Sequence, residues 1–437
     1  MMRVLDLRGQ RPTRAEMLEL IPRHTGDSEA AHSAARQLVD EVRSAGQSAL
    51  RAHAEKFDRV TGHEIRVPRE HLVQALESLD PEVRSSLEST IARVRLASAA
   101  QVPPGAVTEF RQGARVVQRW LPVERVGLYV PGGKAVYPSS VIMNAVPAQI
   151  AGVSSIALVS PAQEAFGGRV HPTILAAAEL LGVTEVYAMG GASAIGALAF
   201  GVSELDLQPV SVITGPGNQY VAAAKRYVRS HVGIDSEAGP TEILVIADDS
   251  AEAAFVASDL ISQAEHDELA SSILVTDSAD LVDEVSRELV VQVGQTKHSD
   301  RVSIALRGPQ SALVIVDDIN VAVDFSNAYG PEHLEIQTRR NEEILPRLVN
   351  AGAIFVGDFS PVSLGDYSAG SNHVLPTGGH SAFSSGLGAY TFLRAQQVVE
   401  YSKDALREVS DGLQALSQNE DLPAHGEAVA IRFETEH

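Results

Sequence analysis

Residues 263–269 read QAEHDEL, a glutamine three places before a histidine with acids beside both. One helical turn separates Gln263 from His266, so both side chains leave a helix in the same direction. An amide oxygen and an imidazole in that relation are either half of a metal site or an ordinary solvated helix face. A second chemical pair stands at AYGPEHLEI (328–336), where Glu332 and His333 are adjacent. Neighbours in a strand face opposite ways, so a shared role requires the turn that Gly330-Pro331 offers. With it, a carboxylate and an imidazole can act as bases for different proton transfers. Without it, they are an exposed acid and a histidine at a strand start.

Further candidates are dispersed. GDYSAGSNH (365–373) contributes Asp366 and His373, and LPAH contributes His425 near the C-terminus. GPGNQYVAAAKRYV (215–228) follows a β-rich run and opens a helical one, so free amides at Asn218 suit an anion or a nucleotide's polar edge. The plainer reading is a strand–helix turn with Asn218 as N-cap. The full GxGxxG dinucleotide fingerprint is absent. YVPGGK (129–134) and MGGAS (189–193) end other β-rich runs. Three glycine-bearing turns together suggest a cleft along the carboxyl edge of one sheet.

The elements that must hold these residues follow from periodicity. Residues 31–57 and 70–101 carry apolar residues at helical spacing, with a break at Asp80-Pro81, and VPPGA (102–106) is a connector. From residue 126, short β-rich runs (VGLYV, SSIALVS, EVYAMG, SVITG) alternate with helical lengths of Ala and Leu. A second series follows at 242–248, 271–277, 311–318, 333–338 and 351–357, with helices at 250–266, 279–293 and 341–350. That alternation predicts α/β architecture: two doubly wound, Rossmann-like domains meeting near Gly239-Pro240, with a helical N-terminal segment and a helical tail from 391. Residues 358–390 lack periodicity and are too long for an ordinary connection, which marks a functional loop.

Bulk composition excludes several classes. The chain has 437 residues, a net charge of −21 and no cysteine. An acidic surface without basic runs argues against nucleic acid. No apolar stretch approaches the roughly 20 residues of a membrane span, and the first residues lack a signal-peptide core, so a cytoplasmic location is expected. Disulfides, thiolate nucleophiles and cysteine-based zinc sites are excluded.

Taken together, YVPGGKAVYPSSVIMN, ITGPGN, SEAGPTEI, ISQAEHD, PEHLEI, VGDFSPVSLGDYSAGSNHVLPT and DLPAHGEAV resemble the histidinol dehydrogenases across essentially the whole chain. The resemblance implies a zinc site made by Gln263, His266, Asp366 and His425, the last arriving from the partner in an intertwined homodimer. Such an O/N donor set also tolerates manganese. It implies substrate contacts at Thr241, Gln263, His266, His333, Asp366, Glu420 and His425, with His373 nearby, and NAD contacts at Tyr129, Asn218 and residue 193. The implied reaction oxidises L-histidinol to L-histidine through histidinaldehyde with two NAD, using His333 and Glu332 as bases. It also implies an N-terminal segment (1–25), a metal and substrate domain (26–128 with 242–385), an NAD domain (129–241) and a tail (386–437) that reaches the partner.

Two positions depart from the family pattern. GGASA places Ser193 where a glutamine is usual, which shortens the reach to NAD, and Thr241 stands where serine is common. Rival readings are a related dehydrogenase of another small alcohol such as a sulfonated diol, a zinc hydrolase using Glu332 or His333, and a non-catalytic binding protein.

Overall fold

The computed structural model describes residues 2–10, 12–23, 29–132, 135–237 and 239–434. Gly133 and Lys134 of the YVPGGK turn, Ala238 of SEAGPTEI and residues 24–28, where the first domain edge is expected, lie outside them. The chain divides into two compact units: residues up to Gln101 together with Val123–Phe392, and Val102–Pro122 together with the chain from Leu393 onward.

The larger unit contains two wholly parallel sheets. The first has the order Glu185–Ala188, Ser155–Ser160, Arg125–Tyr129, Val212–Thr214, Gly233–Ile234. The second runs Arg3–Asp6, Ala312–Ile315, Ser271–Thr276, Glu242–Ala247, His333–Gln337, Ala353–Val356. Helices cover these sheets, which explains why EILVIA and SSILVT, Glu242 apart, are apolar or small along their length and buried at every position. Each buried Val, Leu or Ile there contributes roughly 1.5–3 kcal/mol relative to an exposed one.

Numbered within itself, the first sheet has the strand order 3-2-1-4-5. Without Arg3–Asp6, the second has the same order. Each therefore has one switch point, between Arg125–Tyr129 and Val212–Thr214 in the first and between Glu242–Ala247 and His333–Gln337 in the second. The shared order gives topological substance to the two sequence series.

Most predicted elements are present. Asp80 accepts from the amides of Glu82 and Val83, so Arg69–Glu77 and Pro81–Ala100 are separate helices. The helix expected over 31–57 spans Glu29–His53 but is broken by a kink at Gly46 (φ 54), and a wide turn follows at Ala54–Asp58. The helix expected over 341–350 stops after Asn341–Ile344, where Pro346 forces a tighter turn. Arg3–Asp6, placed in a helical N-terminal segment, is instead a parallel edge strand beside Ala312–Ile315.

The smaller unit corrects the expected helical tail. Leu393–Tyr401 is a nine-residue strand, paired antiparallel with Ala114–Pro122 from Leu393↔Pro122 to Tyr401↔Ala114. Its β-branched and alternating residues find a strand partner, and the local helical preference loses to that pairing. Ala106–Arg111 completes a three-stranded sheet that the sequence left unassigned. The helices Lys403–Asn419 and Pro423–Glu434 follow. Among the described residues, no helix is long and apolar enough to cross a membrane.

Candidate active site

The site begins at the amino ends of two adjacent strands in the second sheet. Doubly wound folds usually bind ligands at the carboxyl edge; here Thr241 and Glu242 open one strand, while Glu332 and His333 open its neighbour. Gly330 closes the preceding helix at φ 62, and Pro331 then turns the chain into the strand. This is the turn that the adjacent acid and histidine required.

One dipeptide orients both bases. The amide of Glu242 donates to Glu332 Oε2 over 3.0 Å, and the Thr241 hydroxyl donates to the same oxygen over 2.6 Å. The carbonyl of Glu242 is 3.0 Å from His333 Nδ1. A carbonyl only accepts, so Nδ1 carries the proton and Nε2 keeps its lone pair. Both side chains are buried. Burial pushes the Glu332 carboxyl up to about 7, although the Thr241 hydroxyl and the Glu242 amide pull it down. Burial also lowers His333, with Asp366 opposing. The pair is thus a neutral imidazole beside a carboxyl group poised near neutrality.

Gln263 joins this network from the last turn of Ala253–Ala264, where its amide nitrogen donates to Thr241 Oγ1. The helix ends at Ala264, so His266 lies in the following turn, its amide donating to the Gln263 carbonyl at 3.3 Å. Asp366 sits on the short helix Val362–Tyr367. His266 and Asp366 both act electrostatically on the Glu332 carboxyl, His266 lowering its pKa and Asp366 raising it, so both lie near the two bases. An amide oxygen, an imidazole and a carboxylate fit a divalent cation. Only two of these three are His or acid, and among the described residues no group of three or more His, Cys, Asp or Glu could hold a metal.

His373 is a strut beside this pocket. Its Nδ1 donates to the Asp366 carbonyl (3.2 Å) and its Nε2 faces Ser140 Oγ at 3.1 Å, so both ring nitrogens are engaged. Burial lowers its pKa. His425 and Glu420 belong to the smaller unit and are exposed. Glu420 caps Lys403–Asn419, and His425 is the third residue of Pro423–Glu434.

The nucleotide candidates cluster at the carboxyl edge of the first sheet, near its switch point. Tyr129 ends the central strand, buried, with its hydroxyl accepting from the amide of Gly191 at 3.2 Å. Asn218 is the N-cap that its sequence suggested, accepting from Tyr220 and Val221 amides, and it remains exposed. Ser193 lies in the first turn of Gly191–Phe200, but its hydroxyl is 2.7 Å from His53 Nδ1, and His53 Nε2 is 2.7 Å from Glu41.

Sequence reading missed Glu242 and its partner. Arg23 pairs with Glu242 over 2.9 Å and stacks 3.8 Å from the Tyr329 ring centre. Burial pushes Glu242 up to about 7 against the pull of Arg23. An acid heading the apolar run EILVIA was the available signal, because a fully buried acid needs a partner.

The histidinol dehydrogenase family model matches residues 21–433. A histidinol dehydrogenase of Leifsonia xyli subsp. xyli is 63% identical over 99% of both chains. The chain belongs to the histidinol dehydrogenase family. A histidinol dehydrogenase of Mycolicibacterium smegmatis is 56% identical, over 98% of this chain and 97% of its own. The crystal structure of histidinol dehydrogenase from Elizabethkingia anophelis superposes with a TM-score of 0.93 at 32% identity, covering 99% of this chain and 98% of that one. The family thus extends over both units described above.

Proposed function

We propose that this chain is an NAD- and zinc-dependent L-histidinol dehydrogenase that carries out both oxidations to L-histidine, the closing step of histidine biosynthesis. The observation that carries the reading is the Thr241–Glu242 dipeptide, which holds a neutral imidazole and a near-neutral carboxyl side by side in a member of this family.

Gln263, His266 and Asp366 would hold zinc, with His425 of a second copy as fourth ligand in a homodimer. Bound there, the metal supplies a fixed anchor for an amine and an imidazole. His333 Nε2 accepts the alcohol proton as hydride leaves for the nicotinamide. In the second half, Glu332 takes a proton from the water that adds to the aldehyde while His333 returns its proton to the aldehyde oxygen, and the neutral His333 then accepts the hydrate's proton as the second hydride leaves. Burial of both bases limits loss of the aldehyde to solvent. The first sheet serves NAD through Tyr129 and Asn218, while the second serves metal and substrate. Residues 386–437 reach the partner and bring Glu420 and His425 to the substrate.

The test is stoichiometry. Zinc-loaded protein is expected to form two NADH per L-histidinol consumed. One NADH with free aldehyde accumulating would indicate a different alcohol as the natural substrate. Ester or amide hydrolysis without NADH would overturn the dehydrogenase reading.

A further inference from the structure

Lys225 is buried on the helix Gln219–Val228, in a chain whose surface could have accommodated it. Its partner is Asp235, just past the strand Gly233–Ile234, and the two side chains are 2% and 4% exposed. A buried ion pair is expensive, because two charges leave water, and apolar residues of similar volume are often as stable. Its presence calls for a role that packing does not fill.

The hydrogen bonds supply one. Lys225 Nζ donates to the carbonyl of Gly215 at 3.0 Å and also to Asp235 Oδ1. Asp235 Oδ2 accepts from the amide of Gly215 at 2.8 Å, and Oδ1 accepts from the amide of Ser236 at 2.6 Å. One ion pair therefore occupies both polar groups of a single peptide position. Gly215 opens the GPGN turn at φ +115, where an added Cβ would stand 1.9 Å from the Tyr129 carbonyl oxygen. The turn is pressed against the strand carrying Tyr129 and gripped from the other side. Three residues on, Asn218 starts the helix that carries Lys225 itself.

We propose that Lys225 and Asp235 are positioning residues for the nucleotide site, fixing the Gly215–Asn218 turn against Tyr129. The proposal rests on the reading that this turn receives NAD. A turn held less firmly misplaces the nicotinamide, and misplacement by about 1 Å can cost about a hundredfold in rate.

The experiment uses the full-length, zinc-loaded protein and the paired variant Lys225→Met/Asp235→Asn, which removes both charges together. NAD binding is measured by calorimetry, and the KM values for NAD and L-histidinol are compared. The expected result is a rise of about ten- to a hundredfold in KM and Kd for NAD. Zinc content and the L-histidinol KM should stay within about twofold of wild type. A paired variant that folds and binds NAD as wild type does overturns the proposal. Should the paired variant fail to fold, Asp235→Asn alone keeps an acceptor for the Gly215 amide and decides by the same split, a NAD-selective loss supporting the role and equal losses for both substrates overturning it. A wild-type protein that does not bind NAD overturns the nucleotide reading itself, and this proposal with it.

Discussion

The Thr241 hydroxyl donates to Glu332 Oε2 over 2.6 Å while accepting from the amide of Gln263. One side chain thus joins a candidate metal ligand to a candidate base. Thr241→Val removes both bonds at nearly constant volume. The hydroxyl is one of the groups that hold the Glu332 pKa down, so without it the carboxyl keeps its proton to higher pH. The acid limb of the kcat profile for histidinaldehyde oxidation is expected to move up by about one pH unit, in line with 1.5–3 kcal/mol for a hydrogen bond to a charged group. Thr241→Ser should retain the wild-type limb. An unmoved limb in the valine variant would separate Glu332 from the step that the profile reports.

His333 donates from Nδ1 to the Glu242 carbonyl and presents Nε2, and burial keeps it neutral to lower pH than an exposed histidine. His333→Gln should lower kcat by roughly 10²–10⁴, the usual contribution of a positioned base. Zinc content, measured by atomic emission, should stay the same. Parallel loss of metal and turnover would assign His333 to the metal instead.

Ser193 stands where the family usually places glutamine, yet its hydroxyl is committed to His53 within the chain Glu41–His53–Ser193. Ser193→Ala leaves a buried ring nitrogen without its partner, at a cost of about 1–3 kcal/mol in stability. The KM for NAD should change by less than about twofold. A large rise in that KM with an unaltered melting temperature would show that the hydroxyl serves the nucleotide.

Much of this was legible because local signals coincided with tertiary need. Asp80-Pro81 breaks a helix wherever it lies, and the continuous apolar runs could be satisfied only inside parallel sheets. The donor set was less legible. Gln263 and His266 carry helical spacing, but the helix ends between them, and Asp366 sits on a six-residue helix too short to leave a period in the sequence. Only the resemblance in whole blocks linked them. That the bases occupy the amino edge of the second sheet had no local signal, since it depends on which strand ends meet. Leu393–Tyr401 failed for the related reason that its partner lies some 280 residues earlier in the chain. Lys225 looks like any basic residue near a helix end until Asp235 is seen beside it.

His425 tests the homodimer. In the proposed zinc site Gln263, His266 and Asp366 would be three of the donors, and the fourth would come from a partner copy. His425→Asn should lower zinc affinity by about 10–100-fold, measured by competition with a chromogenic chelator. His425 is exposed on its own unit, so the melting temperature of metal-free protein should stay constant. Mixing this variant with an inactive His333→Gln protein should restore activity through hybrid dimers, because one of the two shared sites then has every residue intact. A mixture no more active than its parts would refute ligation across subunits.

Asp259 and Glu335 make the stability of the larger unit depend on pH. They share a side-chain hydrogen bond, Gln337 donates to both, and the Val362 amide donates to Glu335 at the start of the helix carrying Asp366. Two carboxyl groups can bond only if one keeps a proton, and burial raises both above their ordinary values. The folded state therefore holds a proton that the unfolded chain releases above about pH 4. Its contribution is complete below that point and declines as pH rises through the folded values. Asp259→Asn supplies the donor permanently. The difference in melting temperature, variant minus wild type, should grow as the pH is taken from about 5 to about 8. A difference independent of pH would mean that no proton is shared between these groups.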